Sequence, residues 1–114
     1  MRKRGTSTFM PAGGKIEANE APADALVREL FEELGLTVEP GAMSPLGLFT
    51  AQAANEADAT VAAELFELSI AAEPKIAAEI EQLIWLDPRA TGDLDIAPLT
   101  RDFVFPLHAR RRIP

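Results

Sequence analysis

The sequence predicts one α/β domain, and three observations carry that reading. A strongly patterned helix occupies Pro22 to Leu34, a second helical pattern runs from Asp95 to Arg111, and short β-compatible runs bounded by glycine and proline lie around them. Strands alternating with helices in this order pack as an α/β sandwich around a mixed sheet. At 114 residues the chain suffices for a single domain, residues 1–114, and is too short for two. Its 47% apolar and 25% charged content is that of a folded globular chain and argues against disorder.

Taken in order, Arg4 to Pro11 holds Thr6, Thr8, Phe9 and Met10, a strand or extended arm that runs into the Gly13-Gly14 turn. Lys15 to Glu17 predicts a brief strand with Ile16 pointing inward. The helix from Pro22 starts with a proline whose missing N–H costs nothing in the first turn, and Asp24 adds negative charge near the positive end of the helix dipole. Gly35 supplies the left-handed residue that stops it. Ala23, Leu26, Val27, Leu30 and Leu34 share the side that faces the core, while Glu29, Glu32 and Glu33 cluster on the other with Arg28 at their edge.

Beyond the helix, Thr37 and Val38 begin a strand before the Pro40-Gly41 turn, and Ser44 to Ala51 reads as a further strand through Leu46, Leu48 and Phe49. Gln52 to Asp58 is a polar, alanine-rich loop. Thr60 to Ile70 has mixed periodicity: its alanines and glutamates suit a helix, and its alternation suits a strand. Ile76 to Gln82 fits one helical turn or a loop, and Leu83 to Leu86 reads as a short strand that places Trp85 in the core. In the C-terminal helix Leu99, Phe103, Val104 and Leu107 form the apolar face, and Pro106 predicts a kink or an end.

Composition limits the chemistry. The absence of cysteine removes disulfides, thiol catalysis and thiolate zinc sites, and the one histidine, His108, cannot build a multi-histidine metal site. No apolar run approaches the roughly 20 residues needed to span a bilayer, and no secretory pattern follows the basic start, so the expectation is a cytoplasmic protein without membrane partners. Net charge is −7, and the basic groups gather at Arg2, Lys3 and Arg4 and at Arg110, Arg111 and Arg112, which leaves an acidic body. Such a body repels nucleic acid polymers. The basic clusters also read as solvated termini.

The chemistry concentrates between Gly14 and Leu36. Glutamates at i, i+3 and i+4 repel one another, each like-charged pair costing an isolated helix roughly 0.2–0.5 kcal/mol, and a divalent cation is the natural compensation. Mg²⁺, or Mn²⁺, takes oxygen ligands from a few carboxylates and completes its shell with water and substrate phosphate. It polarises a phosphoryl oxygen and offsets charge on a leaving phosphate. Written as a pattern, the stretch is G, five residues, E, seven residues, R-E-U-x-E-E-x-G-U with U a bulky aliphatic. Gly14, Glu20, Arg28, Glu29, Leu30, Glu32, Glu33, Gly35 and Leu36 fill every defined position.

On those residues the chain resembles the Nudix hydrolases. The resemblance implies a Nudix-type α/β/α sandwich, and it decides for a strand over Thr60 to Ile70. It makes Glu29, Glu32 and Glu33 the metal-binding and catalytic glutamates, with Glu32 and Glu33 the strongest ligands. Arg28 then orients these carboxylates, Gly14 is the loop glycine beside the metal, and Glu20 braces the loop. Further ligands or the general base come in this family from beyond the box, where Glu56 and Glu79 are the candidates, with Glu81 behind them. Each also reads as a surface glutamate. Lys3 or Arg4 reaching substrate phosphate, and Phe9 or Phe49 stacking on a base, complete the expected pocket.

The implied activity is Mg²⁺-dependent cleavage of the pyrophosphate bond in a nucleoside diphosphate linked to another moiety, such as a nucleoside triphosphate, ADP-ribose or a nucleotide sugar. The alternative is a nucleotide-binding regulatory module or an inactive, truncated domain. One departure stands out: the glycine loop arrives early, so the N-terminal strands expected of the family are short or missing. A late start codon, a trimmed N-terminus and a dimer that covers the open strand edge compete as explanations. The expectation is an incomplete domain that dimerises or is marginally stable.

Overall fold

The first helix falls where the spacing placed it. In the computed structural model, which describes residues 1–53 and 58–111, α1 spans Pro22–Leu34 with proline in its first turn and Asp24 beside it. Gly35 adopts φ 65° and its N–H reaches back to the carbonyls of Leu30 and Phe31. A side chain in that left-handed conformation would be strained, and a Cβ would also stand 3.4 Å from the Lys75 carbonyl oxygen. Residues 75 to 77 run along the end of the helix: the N–H groups of Lys75 and Ala77 donate to the carbonyls of Leu34 and Glu33. Those bonds satisfy carbonyls that a helix end leaves open.

The strands form antiparallel pairs. β1 (Arg2–Lys3) pairs with β4 (Ile80–Gln82), and β2 (Ser44–Gln52) pairs with β3 (Thr60–Glu67) from Ser44 opposite Glu67 to Gln52 opposite Thr60, with a bulge between Pro45 and Gly47. One parallel bridge joins Phe9 to Ile96. Helices and sheet together make the α/β fold, and β3 confirms a strand at the segment whose periodicity was ambiguous. Leu30, Leu34, Leu36 and Met43 form the central cluster, joined by Leu26, Phe66, Leu68 and Leu83. Each large apolar side chain buried there contributes about 1.5–3 kcal/mol. Among the described residues no helix is long and apolar enough to cross a membrane.

Several expectations are corrected. Lys15 to Glu17 is no strand, and Ile16 is half exposed. Its backbone serves charges instead: the Lys15 carbonyl accepts from Arg28 and the Glu17 N–H donates to Glu20. Thr37 and Val38 form no strand and lead into a short 3₁₀ turn at Pro40–Ala42. Pairing with the N-terminus falls on Ile80–Gln82 rather than Leu83 to Leu86, because Met1, beyond Arg2, exchanges both of its backbone hydrogen bonds with Met10. Trp85, in that unpaired stretch, is 76% exposed and does not belong to the core.

The C-terminal helix begins at Pro98 and passes Pro106 without ending there. Residues Thr100–Val104 form a wider π turn, in which the Phe105 N–H donates to the Thr100 carbonyl, and α2 continues over Phe105–Arg111. A proline inside a helix lacks a donor and crowds the carbonyl four residues back, here that of Asp102. The widened turn lies over that carbonyl, so the chain accommodates the ring by expansion rather than a break.

Candidate functional site

Arg28 is the centre of the charged face of α1. Its Nε and Nη2 donate to the two carboxylate oxygens of Glu20, each at 3.0 Å, a bidentate pair. Nη1 donates to Glu29 at 2.7 Å and to Glu32 at 3.4 Å, and Nη2 also donates to the Lys15 carbonyl. These bonds hold the Glu20 carboxyl below the ordinary carboxylate range and keep Arg28 charged throughout. Part of the compensation for crowding three glutamates on one helix therefore comes from the protein itself.

The glycine pair closes on the same face. A Cβ at Gly14 would lie 2.5 Å from the Glu29 carboxylate, so glycine is what lets the loop and that carboxylate share the space. The neighbouring Gly13 N–H donates to Glu33 Oε1 at 2.9 Å. Two carboxylates thus flank one short stretch of backbone.

Glu33 departs from expectation. It is 2% exposed rather than on the solvent side, whereas the Glu32 side chain is half exposed. The helix geometry explains this: seven residues on, at about 100° each, Glu33 lies ~20° from Leu26 and shares its inward face. Burial raises the carboxyl above its ordinary value; the Gly13 N–H and Lys3 oppose that rise, while Glu29 and Glu79 add to it. The Glu29 side chain is mostly covered as well. The i+7 relation to Leu26 was the signal that could have separated Glu33 from Glu32.

Around this pair the other expected residues divide. Glu79 and Lys3 stand close enough to Glu33 to act on its charge, and the Arg4 N–H donates to the Glu79 carbonyl, tying the N-terminal strand to that segment. The Arg4 side chain is engaged elsewhere, with its guanidinium 2.6 Å from Glu81 and its Nε donating to the Ala78 carbonyl. Glu56 lies outside the described residues.

Phe9 is buried, with the Arg2 guanidinium 5.9 Å from its ring centre. The ring helps to line an open apolar cleft of about 180 Å³ with Met10, Ile84, Leu86 and Val104. Phe49 packs against Phe103, ring centres 5.2 Å apart. Sequence reasoning also missed Gly13, whose contribution is a backbone N–H and leaves no side-chain mark.

The NUDIX domain family model matches residues 2–105. The chain belongs to the NUDIX domain family. That match spans the N-terminal arm, the glycine loop, α1 and the strands that follow, together with the turn at Glu79, so the family assignment rests on far more than the box. No curated protein matches the chain. NUDIX proteins generally use divalent metals such as Mg²⁺, and the donor set here suits one. Glu29, Glu32 and Glu33 are hard oxygen donors, and burial disfavours charge on the Glu33 carboxyl, a cost that a cation would offset. Among the described residues no three carboxylates converge tightly enough to form a closed ligand set.

Proposed function

We propose that this NUDIX domain is a Mg²⁺- or Mn²⁺-dependent pyrophosphohydrolase whose substrate is a small nucleoside diphosphate joined to a second group. The observation that carries the reading is the pair of carboxylates, Glu29 and Glu33, set about the Gly13-Gly14 backbone with Arg28 and Glu20 fixing the outer one.

Glu29, Glu32 and Glu33 would hold the cation, which supplies Lewis-acid polarisation of a phosphoryl oxygen and neutralises charge on the leaving phosphate. The chain's own residues do the positioning. Arg28 fixes Glu29 in one rotamer, the Gly13 N–H fixes Glu33, and Gly14 keeps the approach to both free of a side chain. Lys3 lies near Glu33 and can draw a substrate phosphate toward the carboxylates. Glu79, close enough to Glu33 to act on its charge, would accept the proton of an attacking water. In-line displacement at phosphorus needs little more than such alignment and charge.

The test is a screen of nucleoside diphosphate derivatives with Mg²⁺ and Mn²⁺, reading products by mass. Wild-type protein is expected to release nucleoside monophosphate, and Glu33→Gln to lose about 10²–10⁴-fold in rate. Wild-type turnover in that variant would remove Glu33 from the mechanism. Calorimetric binding of ADP-ribose without any product would leave a nucleotide-binding module.

A further inference from the structure

The carboxylate of Asp95 joins the two ends of the chain. Its Oδ2 accepts from Thr8 Oγ1 at 2.8 Å and from Ser7 Oγ at 3.2 Å, while its backbone carbonyl accepts the Phe9 N–H at 2.7 Å. The Ala97 N–H returns a bond to the Phe9 carbonyl at 2.8 Å, completing the parallel bridge between Phe9 and Ile96. Thr8 and Phe9 are both buried at this point. Four hydrogen bonds thus clamp residues 7 to 9 to residues 95 to 97.

The stretch from the clamp to the site is short and stiff. Met10 is held by two backbone bonds to Met1, Pro11 has its φ fixed by its ring, Ala12 packs on the central cluster, and Gly13 then presents its N–H to Glu33. A chain restrained at Phe9 and again at Met10 has little freedom left to misplace a donor three residues later.

We propose that Asp95 is a positioning residue for the phosphohydrolase site, acting through residues 7 to 13 to hold the Gly13 N–H on the Glu33 carboxylate. The inference takes the site itself from the proposed hydrolase function. Asp95 touches neither substrate nor cation; its role is the placement of a donor that lies on another segment.

The test tracks the Gly13 amide by ¹H–¹⁵N NMR and the affinity for Mn²⁺ alone by electron paramagnetic resonance, with full-length protein. In Asp95→Ala the Gly13 amide is expected to move upfield and exchange faster as its hydrogen bond weakens, and Mn²⁺ binding to fall about tenfold, the lower end of what outer partners of a metal site contribute. Asp95→Asn keeps an acceptor for the hydroxyls and should restore both readings to within about twofold.

If Asp95→Ala fails to fold, Thr8→Val removes the shorter bond alone and should shift the Gly13 amide in the same direction by less. An unmoved Gly13 amide, or equal movement of the Leu30 and Leu34 amides, would overturn the proposal, since the first means no transmission and the second a general loosening. Hydrolysis is assayed on the same wild-type sample. Absence of turnover with a Gly13 shift that accompanies Asp95→Ala would count against the enzyme and leave the clamp standing.

Discussion

The segment from Gly13 to Leu36 and the segment from Ile80 to Arg111 are organised on opposite terms. In the first, the side-chain bonds of the charged face are made within a couple of dozen residues: Arg28 bonds Glu20, Glu29, Glu32 and the Lys15 carbonyl, and Glu33 bonds Gly13. In the second, among the described residues, Leu83 to Leu86 has no strand partner, Trp85 stands in solvent, Thr100 carries a buried hydroxyl without a partner and the helix is widened. Charge is placed with care in one region, and apolar surface is left loosely covered in the other. Chemistry tolerates little displacement, whereas a cleft wall tolerates more.

Glu33 should break that contrast most sharply, because it belongs to the ordered region and yet strains it. An acid whose folded pKa is raised contributes a penalty that is absent below its unfolded value of 4.5, grows as pH rises from there to the folded value and is present in full above it. Glu33→Gln, which keeps an acceptor for Gly13, is therefore expected to melt higher than wild type at neutral pH without added cation. The gap should close as pH falls below 4.5. A variant that melts lower at pH 7 would show that the buried charge is already compensated. The same substitution carries the large loss of turnover expected of a catalytic glutamate, so site and stability pull in opposite directions.

Arg28→Lys comes next. A lysine cannot reproduce the fork that holds Glu20 and Glu29 together, so hydrolysis should fall about 10–100-fold while thermal stability changes little. Lysine keeps the positive charge beside these carboxylates, and a large drop in Tm would mean that the fork of Arg28 is structural first. Gly14→Ala should cost about tenfold in activity by pushing the Glu29 carboxylate aside. Its effect on Tm should be small, because the displaced group is the end of a flexible side chain. Unchanged kinetics would show that Glu29 can be misplaced without harm.

The smallest effect is expected in the looser region. Thr100→Val removes the buried, unpartnered hydroxyl and should raise stability by about 1 kcal/mol, a few degrees in Tm. A destabilised Thr100→Val would mean that the hydroxyl finds a partner after all.

The same contrast accounts for what the sequence disclosed. Helix α1, its Gly35 stop and the place of Arg28 at the edge of the glutamates follow from spacing along one helix, and all were legible. The Arg28–Glu20 fork was not, because it joins the helix to the loop before it. Burial of Glu33 was legible in principle through Leu26, but the eye sorts glutamates outward by type. The strand at Ile80–Gln82 and the exposure of Trp85 were not legible, because strand pairing depends on a partner some 80 positions away and LIWL offers the stronger local pattern. Lys15 to Glu17 looked extended and proved to be a cradle for a guanidinium. Pro106 signalled a disturbance correctly, and only the structure shows it taken up as a π turn.

The bond between Thr8 and Asp95 spans 87 positions in the chain, and this has a temporal meaning. During synthesis the glutamate helix and its arginine can assemble as soon as they leave the ribosome, because their contacts are local. The arm that precedes them must wait until Asp95, 87 positions after Thr8, has emerged before it can dock. Closing so long a loop is slow relative to winding a helix. The charged face of α1 can therefore take shape well before the arm that holds the Gly13 N–H against it is docked.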